Sequence, residues 1–188
     1  MITQLAERRT KELISGDKLL EMGLAVRCEL VEGEIVMLSP TGGRHGSVEL
    51  NFGEVLREFA KPRKLGIVKV GEVGIYTHRN PDTVRGADAL YISAERAAKL
   101  SASAYLDVAP DLIVEVLSPD DRWSEVTKKL REYFSIGVRL VWVANIEERM
   151  VYAYRSLTDV HQFSEIDTLT GDEVLPGFSV TVANLFEE

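Results

Sequence analysis

Glu115 is the one charged residue in the apolar run Leu112-Ile113-Val114-Glu115-Val116-Leu117, which lies between Pro110 and Pro119. Such a run reads as a buried strand. An ionised carboxylate is costly to bury unless a cation or a metal meets it, so a mid-strand glutamate demands a partner. Lys128 and Lys129 follow on the next helix-patterned stretch, and a second carboxylate, Asp88, interrupts an earlier strand-like run, Gly86-Ala87-Asp88-Ala89-Leu90-Tyr91-Ile92. Two strand carboxylates with a lysine nearby suggest a divalent-metal hydrolytic centre.

Spacing decides which of these groups can act together. Strand alternation puts Asp111 and Glu115 on one face, but four residues of strand span about 13 Å at ~3.3 Å each. That is too far for one ion, so Asp111 is read as the strand's entry. Neighbouring strands lie only ~4.8 Å apart, and in register Asp88 and Glu115 can share a hard cation with the Val116 carbonyl as a further ligand. An Asp88 held instead by an arginine such as Arg85 fits the sequence equally well.

On the helix, ~100° per residue about Leu130 puts Lys128 near the solvent pole. Lys129 falls at the edge of the apolar stripe, on the flank of Arg122 and Tyr133. From there it can lie along apolar surface and deliver its ammonium to the sheet. Helix geometry by itself favours a surface pair with Glu125, worth only a few tenths of a kcal/mol. Arg122 on that flank is either solvated or a contact for a backbone phosphate. An earlier helix pattern places His45 near the centre of its apolar stripe and Glu49 at the edge; a lone histidine there is by default a core or capping residue. Glu29 alternates with Cys28 and Leu30 and reads equally as a surface strand residue.

The elements that must position these residues follow from periodicity and punctuation. Residues 10–22 pattern as a short helix with Leu13, Leu19, Leu20 and Met22 on its apolar side. Residues 28–31 and 34–38 read as strands around a Glu32-Gly33 turn. His45 to Ala60 is helical, with Val48, Phe52, Val55, Leu56 and Phe59 on one face and Pro62 beyond its end. Short strands at 67–70 and 73–76, separated by Gly71, precede the Asp88 run, and a short helix is expected near 94–100. Trp123 to Ser135 carries the stripe Trp123, Val126, Leu130 and Phe134, closed by Gly137 as a left-handed cap. Strands at 138–144, 150–154 and 161–166 follow. Pro176-Gly177 punctuates a tail with a short apolar segment around 182–186. The layout is α/β with a mixed sheet.

Composition narrows the function classes. At 188 residues, with 45% hydrophobic and 28% charged, the chain fits one soluble domain over 1–188. The single cysteine, Cys28, excludes an internal disulfide and fits a reducing compartment; its ordinary reading is a small strand residue. Met1 to Arg9 carries no apolar signal core and no run approaches membrane-spanning length, so no membrane partner and a cytoplasmic location are expected. A formal charge of −8 argues against coating nucleic acid through a basic surface, but not against a nucleic-acid enzyme whose metal offsets repulsion locally.

The order of residues resembles the Uma-two family of bacterial endonucleases, within the PD-(D/E)XK, or restriction-endonuclease-like, superfamily. Glu29-Leu30-Val31-Glu32-Gly33-Glu34, Ser39-Pro40, His45, Gly86-Ala87-Asp88, the Pro110–Pro119 strand, Lys129-Leu130 with Tyr133, Gly137-Val138, Val141-Trp142-Val143 and Pro176-Gly177-Phe178 carry the resemblance, from about Leu13 to Leu185. It implies a restriction-endonuclease-like core, a central mixed β-sheet flanked by α-helices. Asp88 and Glu115 would be Mg²⁺ or Mn²⁺ ligands and Lys129 the catalytic lysine. Glu29 and His45 match recurrent positions, and Glu49 lies where many such nucleases place a helix carboxylate. The superfamily lysine usually stands two residues after the glutamate; here that residue is Leu117, and Lys129 from the helix replaces it.

The resulting expectation is a metal-dependent endonuclease acting on DNA, with a homodimer suited to cutting both strands of a duplex. Its rivals are an inactive nuclease fold kept as a binding module, and hydrolysis of RNA or a small phosphoester.

Overall fold

The computed structural model describes residues 13–23, 27–102, 105–119 and 121–188. Apolar alternation and turn chemistry build most of it. The hairpin β1 (Cys28–Val31) and β2 (Glu34–Met37) turns through Glu32 and Gly33, both at positive φ, as a tight two-residue hairpin turn requires. Helix α1 (Gly16–Glu21) precedes it, starting from a Ser15 side chain that accepts the Lys18 N–H. Residues 10–12 of the expected first helix lie outside the described residues. Of the expected apolar side only Leu19 is buried; Leu13, Leu20 and Met22 are exposed, because α1 starts after Leu13 and is too short to bury a full stripe.

Helix α2 (Gly43–Ala60) buries His45, Val48, Phe52 and Leu56 along one face. The two short strands expected at 67–76 are one long strand, β3 (Gly66–His78), which pairs antiparallel with β4 (Thr83–Ser93). Gly71 marks a bulge in that strand and not an end: Val70 pairs with Ala89 and Val73 with Ala87, so Gly71 and Glu72 together stand opposite Asp88. A one-turn helix, α3 (Ala94–Ala97), then leads to β5 (Leu112–Leu117). Strands β5 and β6 (Leu140–Asn145) run parallel, and α4 (Trp123–Ser135) supplies the crossover that a parallel pair needs. Strands β7 (Met150–Tyr154) and β8 (Val160–Phe163) complete the sheet in antiparallel steps.

The sheet order is β2-β1-β4-β5-β6-β7-β8, with β3 along the other edge of β4. Two further strands, β9 (Thr168–Gly171) and β10 (Leu175–Thr181), pair with each other, and α5 (Val182–Leu185) follows. The sequence pattern gave neither strand of this pair, since Pro176-Gly177 reads as punctuation while it sits where the pairing register shifts. Its apolar side chains Leu169, Leu175 and Phe178 join α2 and α5 over one face of the sheet, around Trp142. On the opposite face α4 packs Val126, Leu130 and Tyr133 against Ile113, Val141 and Val143. The mixed sheet flanked by helices is the expected α/β fold.

Burial along α2 sets a direct test. Leu56 is fully buried, whereas Leu50 on the same helix is 62% exposed. Leu56→Ala is expected to cost about 2–5 kcal/mol, and Leu50→Ala to stay within about 0.5 kcal/mol. Urea unfolding of the two variants measures the difference.

Candidate active site

Strand β4 opens the site by how its edges are shared. β3 runs along one edge, leaving β1 and β5 to divide the other: β1 pairs at Val84, and β5 only from Ala89 onward. Residues 85–88 fall in the fork between them, with backbone polar groups that no strand satisfies. Side chains do so instead. Glu29 accepts the Gly86 N–H at 3.0 Å, Lys129 donates to the Gly86 carbonyl at 3.3 Å, and Asp88 accepts the Val116 N–H at 2.7 Å. A Cβ at Gly86 would come within 2.6 Å of the Glu72 carboxylate and would push that side chain aside.

Glu115 receives the partners its burial demands. Lys129 Nζ donates to Oε2 at 2.8 Å and the Tyr133 hydroxyl to Oε1 at 2.6 Å. Lys129 also lies 3.2 Å from Glu29, so its ion pairs reach into the sheet and not along the helix to Glu125. Burial pushes the Glu115 carboxyl up to about 7, aided by nearby Asp88 and opposed by Lys129. Burial would lower the Lys129 ammonium, but Glu115 and Glu29 more than reverse this and hold it protonated. The Tyr133 hydroxyl is raised well above its ordinary value by burial and by Glu115, and so stays a donor. Burial also lifts Glu29, yet Lys129 and Arg85 bring it below the usual carboxylate value.

Arg85 does not hold Asp88. Its Nη1 bonds Glu29 at 2.7 Å, while Nε and Nη2 grip Glu132 at 2.6 and 2.8 Å. Asp88 faces α2: His45 Nε2 lies 3.6 Å from its Oδ2. Glu49 reaches the same place from the next turn of α2, 3.9 Å from His45 Nδ1, and its other oxygen accepts the N–H of Gly71 in the β3 bulge at 2.7 Å. Burial and Asp88 push the Glu49 carboxyl up.

His45, Glu49 and Asp88 each bring a ligand atom within 4.8 Å of the others. The buried His45 Nδ1 has no hydrogen-bond partner in this group, an orphaned donor-capable nitrogen among carboxylates that fits a cation. Glu115 lies outside this group but lines the same cavity of about 580 Å³, together with Glu29, His45, Asp88, Val116 and Lys129. Arg122 is exposed at the N-cap of α4, beside the cavity-lining Asp121 but not itself in the lining.

Sequence reasoning missed four members of the network: Arg27, Glu72, Arg85 as the bridge to Glu29, and Glu132. Arg27 pairs with Glu72 and stands 3.9 Å from Asp88. Only tertiary packing shows these contacts, although Arg85 within an apolar strand pattern carried the same signal of a required counter-charge as Glu115. Cys28 is free and half-buried, and burial raises its thiol, in keeping with a structural role.

A pH dependence follows from the raised Glu115. In metal-free protein the native state holds an extra proton between the ordinary value of 4.5 and about 7. Its contribution to stability is therefore present at low pH and is lost as pH rises through that window, with a slope approaching ~1.4 kcal/mol per pH unit. Glu115→Gln removes this slope. Urea midpoints across pH 4–8 in EDTA measure it.

No curated protein matches the chain. Its fold is similar to the crystal structure of "a putative nuclease belonging to DUF820" from Anabaena variabilis ATCC 29413, at 20% identity and a TM-score of 0.77, covering 92% of this chain and 97% of that one. Among the described residues no helix is long and apolar enough to cross a membrane. The Uma2 family model, described as "Putative restriction endonuclease", matches residues 17–183. The chain therefore belongs to the Uma2 family, a membership that supports a nuclease.

Proposed function

We propose that the protein is a divalent-metal-dependent endonuclease that hydrolyses DNA phosphodiester bonds. One observation carries this reading: an excess of negative charge where His45, Glu49 and Asp88 converge, beside a lysine held protonated. Six carboxylates (Glu29, Glu49, Glu72, Asp88, Glu115 and Glu132) share three fixed cations (Arg27, Arg85 and Lys129). Arg85 and Lys129 answer Glu29, Glu132 and Glu115. Arg27 pairs with Glu72, so among the described residues Asp88 and Glu49 are left with no fixed cation committed to them.

Asp88, with His45 and Glu49, would hold the ion, and Glu115 and the Val116 carbonyl border it from β5. An imidazole beside two carboxylates suits Mn²⁺ at least as well as Mg²⁺. Such an ion, when bound, polarises the phosphate and lowers the pKa of an attacking water. Lys129 is no general base while Glu115 and Glu29 keep it charged. It holds its ammonium where negative charge grows on the phosphoryl oxygens, a purely electrostatic contribution. Glu115, bordering the ion from β5, is placed to orient the attacking water or accept its proton. Arg85 and Glu132 keep Glu29 in place behind Lys129. Arg122, exposed at the cleft's outer flank, is a candidate contact for a flanking phosphate. A homodimer and a cytoplasmic location belong to the same reading.

Supercoiled plasmid incubated with the protein in Mg²⁺, Mn²⁺ or EDTA, beside Asp88→Asn, tests it. Nicking or linearisation that needs the ion and disappears in the variant is expected. Lys129→Met is expected to keep ion binding while losing about 10²–10³ in turnover. His45→Ala and Glu49→Gln are expected to weaken Mn²⁺ binding at least ~10-fold, read by calorimetry. Cleavage that survives EDTA or Asp88→Asn overturns the assignment. RNA and a bis-aryl phosphodiester in the same assay separate DNA from the other substrates.

A further inference from the structure

We propose that Arg27 is a further catalytic residue, the donor that grips a non-bridging oxygen of the scissile phosphate. This rests on the nuclease reading. Of the three fixed cations that line the cleft among the described residues, Arg85 has every guanidinium nitrogen bonded to Glu29 or Glu132, and Lys129 is shared among Glu115, Glu29 and the Gly86 carbonyl. Arg27 is committed less fully. Its Nη2 pairs with Glu72, its Nη1 donates to the Ser39 carbonyl at 3.1 Å, and its Nε is buried without a hydrogen-bond partner.

The side chain lines the cavity and lies 3.9 Å from Asp88 Oδ1, beside the site assigned to the ion. A device of the backbone keeps it there. The two-residue bulge of β3, with Gly71 at φ 90 and Glu72 at φ 54, turns the Glu72 carboxylate towards Arg27. A positive φ at a glutamate is uncommon and persists where the surroundings require it. With a divalent ion on Asp88, the attraction between Arg27 and Asp88 is offset by repulsion from the ion. The guanidinium then stays on Glu72 with donors left for an anionic oxygen, in the planar geometry that suits phosphate. No bond to Arg27 forms or breaks; it compensates charge that increases in the transition state.

The test compares wild type, Arg27→Met, Arg27→Lys and the double variant Arg27→Met/Glu72→Gln, which strands neither charge of the pair. Three readouts are taken: plasmid cleavage in Mn²⁺, binding of a labelled oligonucleotide in Ca²⁺, and Mn²⁺ affinity by calorimetry. Both methionine variants are expected to lose about 10²-fold or more in kcat and about 10-fold in oligonucleotide affinity. Arg27→Lys recovers part of each. Mn²⁺ affinity is expected to hold or tighten, because a cation beside Asp88 has gone. Wild-type kcat and oligonucleotide affinity in the folded variants overturn the proposal and leave the nuclease reading intact. Loss of Mn²⁺ binding in step with activity also overturns it, by assigning Arg27 to the architecture of the ion site. A wild type that binds the oligonucleotide but cuts nothing overturns the nuclease reading, and the affinity arm then decides on Arg27. A wild type that does neither overturns both.

Discussion

The structure depends on keeping a carboxylate in the middle of a buried strand. Glu115 can stay there because α4 brings Lys129 and Tyr133 to its two oxygens, one turn apart on a single helix face. The same face carries Val126 and Leu130 into the core. Packing and charge compensation are therefore one event: the helix cannot dock without presenting the ammonium, and the ammonium is not held without the docked helix. Glu132, next to Tyr133 in the chain, extends the arrangement to Arg85 and through it to Glu29. Removing one member of such a linked set leaves its partner buried and unpaired, which costs more than the pair's net contribution.

The fork in the sheet places these groups. Where β1 and β5 leave the edge of β4, the freed backbone groups of Gly86 and Val116 are met by Glu29, Lys129 and Asp88. Buried backbone polar groups require partners, so the side chains with chemical potential are also those that close the hydrogen bonding of the sheet. On the other edge of β4 the bulge in β3 does similar work, offering the Gly71 N–H to Glu49 and the Glu72 carboxylate to Arg27. Asp88 thus lies between an opened edge and a bulged one. Both irregularities make room for side chains at the one position of a long strand where regular pairing would have filled the space with backbone.

Much of this was legible in the sequence, and the limits of legibility were physical. The α4 limits, the Glu32-Gly33 hairpin and the burial of the Glu115 strand followed from local periodicity and turn chemistry, which tertiary contacts did not override. Lys129 was the harder case: helix geometry pointed to Glu125, and only the unpaired Glu115 and the family resemblance argued otherwise. Periodicity put Trp123 on the buried stripe, but it is 46% exposed at the first turn and stacks edge-on against Tyr152. The long β3 was split because a bulge and a strand end carry the same glycine signal. The partners of Asp88 were beyond reach, since nothing local says that the fork turns it towards α2. His45 shows the difficulty best: it is core-buried, as a histidine on an apolar face should be, and it also lies among carboxylates.

That double character bears on how an acidic chain can handle a polyanion. The formal charge of −8 makes the chain acidic as a whole. Arg85 and Lys129 lie within the cleft and are neutralised by glutamates, which fixes their positions but leaves little net positive field at the surface. On the proposed reading, long-range attraction contributes little and the ion contributes most. Attraction is confined to the few ångströms around Asp88, where screening is weak and the dielectric low. Such a site discriminates by access. A phosphate that can enter a cleft lined by Glu115 and Asp88 meets strong local charge, whereas one that stays outside meets a chain of net negative charge. The shape of the opening between α2 and α4, more than any affinity for nucleic acid as a polymer, would then set what is cut.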